Sequence, residues 1–151
     1  MGAERSLLRV LVRGAEWVER AAELIAPEDF DDPHHRAIFR ALLDDPELRV
    51  PPASMDLVTA QRFEEIQDGP EELSHGLDVF TKSVTRIRVR ALDRRLQEVQ
   101  RSIEAATDDG EKLQLVGTKS RLAAELRELD PNYWASATRR PDDRNQNESN
   151  R

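Results

Sequence analysis

Two apolar stripes near the carboxyl end of the sequence constrain its fold more than any other feature. The first stripe repeats at alternating steps of three and four and contains Val89, Leu92, Leu96, Val99, Ile103 and Ala106. The second contains Leu115, Leu122, Leu126 and Leu129, with Lys119 at its one polar position. This spacing places apolar groups along one side of an α-helix and leaves the other sides charged. The stripes therefore predict two long helices.

A short polar segment, residues 106–110, separates the two stripes. Asp109 is a candidate N-cap for the second helix, and Gly110 tolerates the unusual backbone angles of a tight turn. Two apolar helices joined by so short a connection predict an antiparallel helical hairpin. The hairpin is expected to cover residues 89–130, followed by a mostly disordered polar tail over residues 131–151.

The upstream residues, 1–88, predict a small bundle of helices. Apolar residues at helical spacing occur near residues 7–12, 17–25 and 38–43. Asp32 followed by Pro33 is a typical helix start, with a capping side chain before proline at the first helical position. A further helix over residues 55–67 is expected to point Leu57, Ala60, Phe63 and Ile66 inward. No strand pattern is present, so the predicted fold is all-α: a small helical bundle followed by a long antiparallel helical hairpin.

The helix that leads into the hairpin changes its apolar face. Its first half has an apolar stripe of Leu73, Leu77, Phe80, Val84, Ile87 and Ala91. The hairpin stripe is displaced from this one by one residue, which is roughly 100° around a helix. We infer a bundle that ends near Arg88 and a hairpin that begins at Val89. A kink or break between Arg86 and Arg90 satisfies both stripes equally well.

Composition limits the classes of function. Of 151 residues, 35% are charged and 38% are apolar, which allows one core but no deep active site. Cysteine is absent, so the chain has neither disulfides nor thiolate metal sites. No apolar run approaches the ~20 residues that span a bilayer, and no signal peptide is evident, so a cytoplasmic protein is expected. The net charge of -7 argues against broad non-specific DNA binding.

Catalytic and metal-binding patterns are weak. His34 and His35 lie among acidic residues, but neighbouring helical side chains point about 100° apart and do not easily share one ion. Helix capping and surface polarity explain both histidines more simply. No nucleophile elbow, phosphate-binding loop or zinc-protease motif occurs. The sequence therefore predicts no catalytic residue, no metal site and no cofactor, and a chain that is not an enzyme.

Arg86, Arg90 and Arg94 form an i, i+4 ladder that suggests an anionic partner. The ladder fits contacts with phosphates or with an acidic protein. It also fits pairing with neighbouring carboxylates such as Asp93 and Glu98. Aromatic residues for base stacking are not interleaved with the arginines. Direct nucleic-acid binding is therefore expected to be weak or absent.

The strongest candidate for function is a protein-binding surface on the hairpin. Two helices alone cannot cover every apolar residue, and Leu113 and Val116 lie off the main stripe. The predicted partner-binding residues are Leu113, Val116, Leu122, Leu126, Tyr133 and Trp134. Such residues are buried only against the bundle or against another molecule.

Several segments together resemble the C-terminal helicase-binding domain of bacterial DNA primase, which is related to the N-terminal domain of the replicative helicase. The segments are residues 4–8 (ERSLL), 25–30 (IAPEDF), 33–39 (PHHRAIF), 90–96 (RALDRRL), 108–111 (DDGE) and 122–126 (LAAEL). The last three favour the primase. The resemblance implies a non-catalytic module of the primosome that binds the N-terminal collar of the hexameric helicase in DNA replication. It also implies a monomer, with the tail of the single-stranded-DNA-binding protein as a further partner.

Other functions remain open at this point. A primase is a DNA-directed RNA polymerase, but its zinc-binding and catalytic domains have no counterpart in these residues. One alternative is the N-terminal self-association domain of a replicative helicase, whose hairpins pair with one another. A second is a nucleic-acid-binding hairpin that uses the arginine ladder. A third, a metal-dependent hydrolase, requires a bound ion.

Overall fold

The computed structural model describes residues 2–69 and 75–131, and these residues form helices and loops without a strand. The six α-helices are α1 (Ala3–Leu11), α2 (Ala15–Leu24), α3 (Pro33–Asp44), α4 (Leu57–Gln67), α5 (Gly76–Ala105) and α6 (Asp109–Leu129). A 3-10 turn, Pro27–Asp29, lies between α2 and α3. The predicted all-α fold is confirmed.

The chain divides into two compact units, residues 1–91 and residues 92–151. Helix α5 contributes its first half to the first unit and its second half to the second. The α-helix runs from Gly76 to Ala105 without interruption, so the alternative of a break between Arg86 and Arg90 is wrong.

The core of the first unit is built around α1. This helix packs against α2, α3 and α4, and its apolar residues Leu7, Leu8 and Leu11 have no exposed surface. Burying each such side chain contributes about 1.5–3 kcal/mol. Aromatic contacts extend the core: the ring centroids of Phe30 and Phe39 are 5.0 Å apart, and those of Trp17 and Phe80 are 5.2 Å apart. The α5 residues that join this core are Phe80, Val84 and Ile87.

Capping side chains set the starts of α3 and α4. The Asp32 carboxylate accepts a hydrogen bond from the backbone N–H of His34 at 2.8 Å, and Pro33 occupies the first helical position. The predicted helix start at Asp32 is therefore confirmed. Asp56 accepts a 2.8 Å bond from the backbone N–H of Thr59 and starts α4 in the same way. Each cap satisfies a backbone donor that the helix itself leaves without a partner.

In the second unit, the carboxyl half of α5 and helix α6 form the predicted antiparallel hairpin. Leu92 and Leu126 are buried, and most of the remaining stripe residues are partly covered. Across the hairpin, the Lys119 ammonium donates a 2.6 Å hydrogen bond to the side-chain oxygen of Gln100. The one polar position of the second stripe is thus used for a polar contact between the two helices.

The turn of the hairpin differs from the prediction by one residue. Asp108, rather than Asp109, is the N-cap of α6, because its carboxylate accepts a 3.0 Å bond from the backbone N–H of Glu111. Asp109 and Gly110 are the first residues of α6 instead. No glycine among residues 2–69 and 75–131 has a positive φ, so Gly110 is not needed for an unusual backbone angle.

Two leucines that were expected to point inward are exposed. Leu57 is 73% exposed at the start of α4, and Thr59 is buried in its place. Leu77 is 61% exposed in the first turn of α5. Both lie in the first turn of a helix, on a side that the core does not cover. The predictions made for Leu73, for a helix restart at residues 71–72, for Tyr133 and Trp134, and for a disordered tail lie outside the described residues.

Candidate protein-interaction surface

Helix α6 is apolar on two opposite faces. Its inner face carries Leu115, Leu122, Leu126 and Leu129, which are partly or fully covered. At 100° per residue, the opposite face carries the outer stripe, which we define as Leu113, Val116, Gly117, Ser120 and Ala124. All five outer residues are exposed, with Leu113 at 74% and Val116 at 47%. Exposed apolar residues grouped in this way are typical of an interaction site.

The structure separates the predicted partner-binding residues into two groups. Leu113 and Val116 lie on the outer stripe and are accessible to another molecule. Leu122 is partly covered and Leu126 has no exposed surface, so these two residues stabilise the hairpin from within. Tyr133 and Trp134 lie outside the described residues.

The three arginines of the ladder differ in exposure and in the contacts they make. Arg86 is exposed on α5, whereas Arg94 is partly buried. Arg90 is turned toward the bundle and contacts the carboxylate of Glu4. Its Nε also lies 2.9 Å from the Asp31 carboxylate, and its guanidinium donates to the backbone oxygen of Asp29 at 3.2 Å. Within the first unit, Arg90 therefore connects α5 to the start of the bundle.

Glu4 lies at the centre of this charged cluster. The residue is only 6% exposed, and its carboxylate accepts hydrogen bonds from the backbone N–H groups of Asp31 at 2.9 Å and Asp32 at 3.2 Å. His35 Nδ1 lies 3.1 Å from the same carboxylate. Burial by itself raises the pKa of Glu4, but these hydrogen bonds and the Arg90 guanidinium lower the pKa to about 2. Glu4 is therefore ionised at neutral pH.

The neighbours of His35 define its tautomer. An ionised carboxylate only accepts hydrogen bonds, so Nδ1 carries the proton and donates a hydrogen bond to the Glu4 carboxylate. The other nitrogen, Nε2, accepts a 3.1 Å bond from the Arg62 guanidinium, which also contacts Asp32 at 3.2 Å. His35 is 8% exposed, so surface polarity does not explain it, contrary to the expectation from the sequence. The residue links α1, α3 and α4.

His34 belongs to a separate chain of hydrogen bonds. Its Nδ1 lies 2.8 Å from the Thr59 hydroxyl, which donates to the Asp56 carboxylate at 2.9 Å. The backbone N–H of Thr59 lowers the pKa of Asp56. The backbone N–H and the hydroxyl of Thr59 both donate to Asp56, the N-cap residue, so these hydrogen bonds fix the start of α4. Over residues 2–69 and 75–131, no group of three potential ligands is placed to hold a metal ion.

An open pocket of about 300 Å³ lies beside the Glu4 cluster. Arg5, Arg62 and Arg90 contribute positive charge to its lining, and Glu4, Asp31 and Asp32 contribute negative charge. The three arginines and three carboxylates leave the lining without a net formal charge, and Arg62 and Arg90 form ion pairs with these carboxylates, whereas Arg5 lies 4.0 Å from Glu65 outside the lining. The cluster thus acts as a polar clamp between helices. The sequence carried no signal for it, because Glu4 and Arg90 are 86 positions apart.

Comparison with known proteins adds one match. The family model described as the DnaB-like helicase N-terminal domain matches residues 1–82. The chain belongs to this family. No curated protein and no solved structure matches the chain. The DnaB-like match covers α1 to α4 and the first residues of α5, and the hairpin helix α6 lies beyond it.

Membership of the DnaB-like family makes this chain a helicase-related domain of DNA replication, non-catalytic and helical. The match agrees with the resemblance seen in the sequence. Family membership also implies oligomerisation or protein interactions. None of the helices in the described part of the chain combines the length and apolar character that crossing a bilayer requires.

Proposed function

We propose that this chain is a non-catalytic interaction module of bacterial primase that docks onto the N-terminal collar of the hexameric replicative helicase. By holding the primase at the helicase, the module couples priming to unwinding. The observation that carries this proposal is the exposed outer stripe of α6, and above all the exposure of Leu113 and Val116.

The energetics favour docking through this stripe. Covering a Leu or a Val side chain is worth about 1.5–3 kcal/mol when the side chain becomes fully buried. Nothing in residues 2–69 and 75–131 covers Leu113 or Val116 to that extent. A partner that does so gains this free energy without unfolding any part of the chain. Leu122 and Leu126 support the docking face from the inner side of the hairpin.

The sequence supports a primase rather than a helicase as the parent protein. Residues 90–96, 108–111 and 122–126 resemble the helical ending of a primase, and they lie beyond the DnaB-like match. The bundle alone is compatible with either parent. In the arginine ladder, Arg90 is engaged with Glu4, so Arg86 is the member best placed for an acidic partner.

A second function, the self-association domain of a replicative helicase, is as compatible with the family match as the primase module is. In that case the outer stripe pairs with a copy of the same chain. Sedimentation of the chain alone separates the two functions. A monomer at micromolar concentration supports the primase module, and a concentration-dependent dimer or ring supports the helicase domain.

Titration calorimetry against the replicative helicase of the same organism tests the docking directly. We expect the full chain to bind, and Leu113→Ser or Val116→Ser to weaken binding tenfold or more, equivalent to ~1.4 kcal/mol. Gln114→Ser is the matched control, because Gln114 is exposed on α6 but lies about 100° from Leu113. The proposal is refuted if the unaltered chain gives neither heat nor co-elution at micromolar concentrations.

A further inference from the structure

An open groove of about 460 Å³ lies on the first unit, along α3 and the segment that connects α3 to α4. Its apolar lining includes Ala37 and Ala41 from α3 and Leu48 and Met55 from the connecting segment. Leu48 and Met55 also pack against the core, which holds this wall of the groove in place. The volume is within the ~300–1,000 Å³ range of pockets that bind small molecules. The groove is therefore large enough to receive a side chain of another molecule.

The connecting segment and the first turn of α4 expose further apolar side chains. Val50 is 71% exposed, and Leu57 and Val58 are 73% and 53% exposed. All three fall within residues 50–58, next to Leu48 and Met55 in the sequence. Exposed apolar residues concentrated in this way are typical of an interaction site. The part of the first unit that forms the groove therefore has more apolar surface in contact with water than its own core requires.

The charges that line the groove are predominantly acidic. Asp44 and Asp45 are both exposed in the lining, and neither carboxylate forms an ion pair with any residue in the described part of the chain. Arg40 also lines the groove, but its guanidinium lies 3.8 Å from the carboxylate of Glu28 outside the lining, which offsets its charge. This balance differs from that of the pocket beside Glu4, where the two signs cancel. We call this site the acidic groove and define it by Ala37, Ala41, Asp44, Asp45, Leu48 and Met55.

We infer that the acidic groove binds a short segment of a partner protein in which a large apolar side chain is flanked by Lys or Arg. The apolar side chain lies against Ala41, Leu48 and Met55, and the cationic side chain contacts Asp44 and Asp45. Complementary charge of this kind favours the correct partner over others. Helix α3 ends at Asp44, and the carboxyl end of a helix carries a partial negative charge that also attracts a cation.

The same charges argue against other occupants. The carboxylates of Asp44 and Asp45 repel phosphate groups, so a nucleic acid and an anionic lipid surface both fit the acidic groove poorly. The site belongs to the first unit and shares no residue with the outer stripe of α6. It therefore adds a second contact to the function proposed above and does not depend on that function.

A blocked peptide, Ala-Lys-Trp-Lys-Ala, tests the inference, with nuclear magnetic resonance of the full isotope-labelled chain as the measurement. We expect the amide signals of residues 37–55 to shift and to saturate as the peptide is added at millimolar concentration. Ala-Lys-Ser-Lys-Ala lacks the apolar side chain, and Ala-Glu-Trp-Glu-Ala reverses the charge. Each of these two peptides should bind at least tenfold more weakly.

Two substitutions place the binding in the groove. Asp44→Lys reverses a groove charge at the last residue of α3, where a cation suits the helix, so the variant should fold and bind the Lys-Trp-Lys peptide tenfold or more weakly. Ala41→Leu fills the groove with another strong helix former and should cause a similar loss. Glu64→Lys is the matched control, because Glu64 is exposed on α4 outside the lining and the change in net charge is the same. Its binding should change less than twofold.

The outcomes are decisive in either direction. Equal weakening by Glu64→Lys would reduce the binding to general attraction by a negatively charged protein and would overturn the inference. Equal binding of the serine peptide, unchanged binding by Ala41→Leu, or shifts that lie mainly outside residues 37–55 would also overturn it. If the groove signals instead move when the free chain is diluted, the occupant is a second copy and the assignment to a partner segment is wrong. Helicase docking is measured separately with the α6 variants, so failure of one proposal is distinguished from failure of the other.

Discussion

Replacing Glu4 with glutamine tests the polar clamp of the first unit. Glu4→Gln keeps the size of the side chain and an oxygen that accepts from the Asp31 backbone N–H. It removes the charge that attracts Arg90, which lies against the Asp31 carboxylate as well. We therefore expect the variant to fold. Its free energy of unfolding should be lower by the amount that the negative charge of Glu4 contributes.

The magnitude follows from the pKa of Glu4. This pKa falls from an ordinary value of 4.5 to about 2 in the folded protein. One pKa unit corresponds to ~1.4 kcal/mol, so the ionised carboxylate contributes about 3 kcal/mol to folding at neutral pH. Because the folded-state pKa is the lower one, this contribution is complete above about pH 5 and decreases as the pH falls toward 2. At pH 3, roughly half of it remains.

Urea unfolding of both chains at pH 7 and pH 3 measures this contribution. The difference in the free energy of unfolding should be about 3 kcal/mol at pH 7 and roughly half that at pH 3. Glu28→Gln is the control, since Glu28 is 68% exposed at its side chain and lies 3.8 Å from Arg40. An exposed pair of this kind contributes ~0–1 kcal/mol. A difference for Glu4→Gln below 1 kcal/mol, or one independent of pH, would refute the reasoning.

Four further substitutions test the capping and packing assignments by denaturant unfolding. Asp108→Ala removes the N-cap of α6 and should cost about 1 kcal/mol of stability. Asp109→Ala should cost clearly less. A larger loss for Asp109→Ala would show that Asp109 is the cap. Phe39→Ala opens a cavity in the core of the first unit and should cost about 3–5 kcal/mol. Leu57→Ala should change stability by less than ~0.5 kcal/mol, since Leu57 is 73% exposed; a large loss there would show that Leu57 is buried after all.

The features predicted correctly from the sequence are local along the chain. The hairpin follows from apolar residues three and four positions apart, which share a helix face whatever surrounds them. The cap at Asp32 follows from a carboxylate placed directly before proline. In both cases the signal, helical periodicity or a capping residue, lies among residues fewer than five positions apart, so it is visible in a short stretch of sequence.

The features missed from the sequence depend on distant residues or on the exact start of a helix. The pairing of Glu4 with Arg90 joins residues 86 positions apart, which only the folded bundle brings together. The interpretation of His35 as polar surface failed because its partners, Glu4 and Arg62, come from other helices. Leu57 has the correct spacing for the inner face of α4 but sits in its first turn, where Thr59 is buried instead.

The two units of the chain obtain their stability in different ways. The first unit has a core of fully buried side chains, to which the Glu4 cluster adds polar connections. Among its described residues the hairpin buries few side chains, Leu92 and Leu126 among them, and keeps apolar surface on the outer face of α6. An isolated pair of helices with so little buried surface is marginally stable. A partner that covers the outer stripe therefore adds to the stability of the hairpin as well as binding it. Binding and hairpin stability should then rise and fall together.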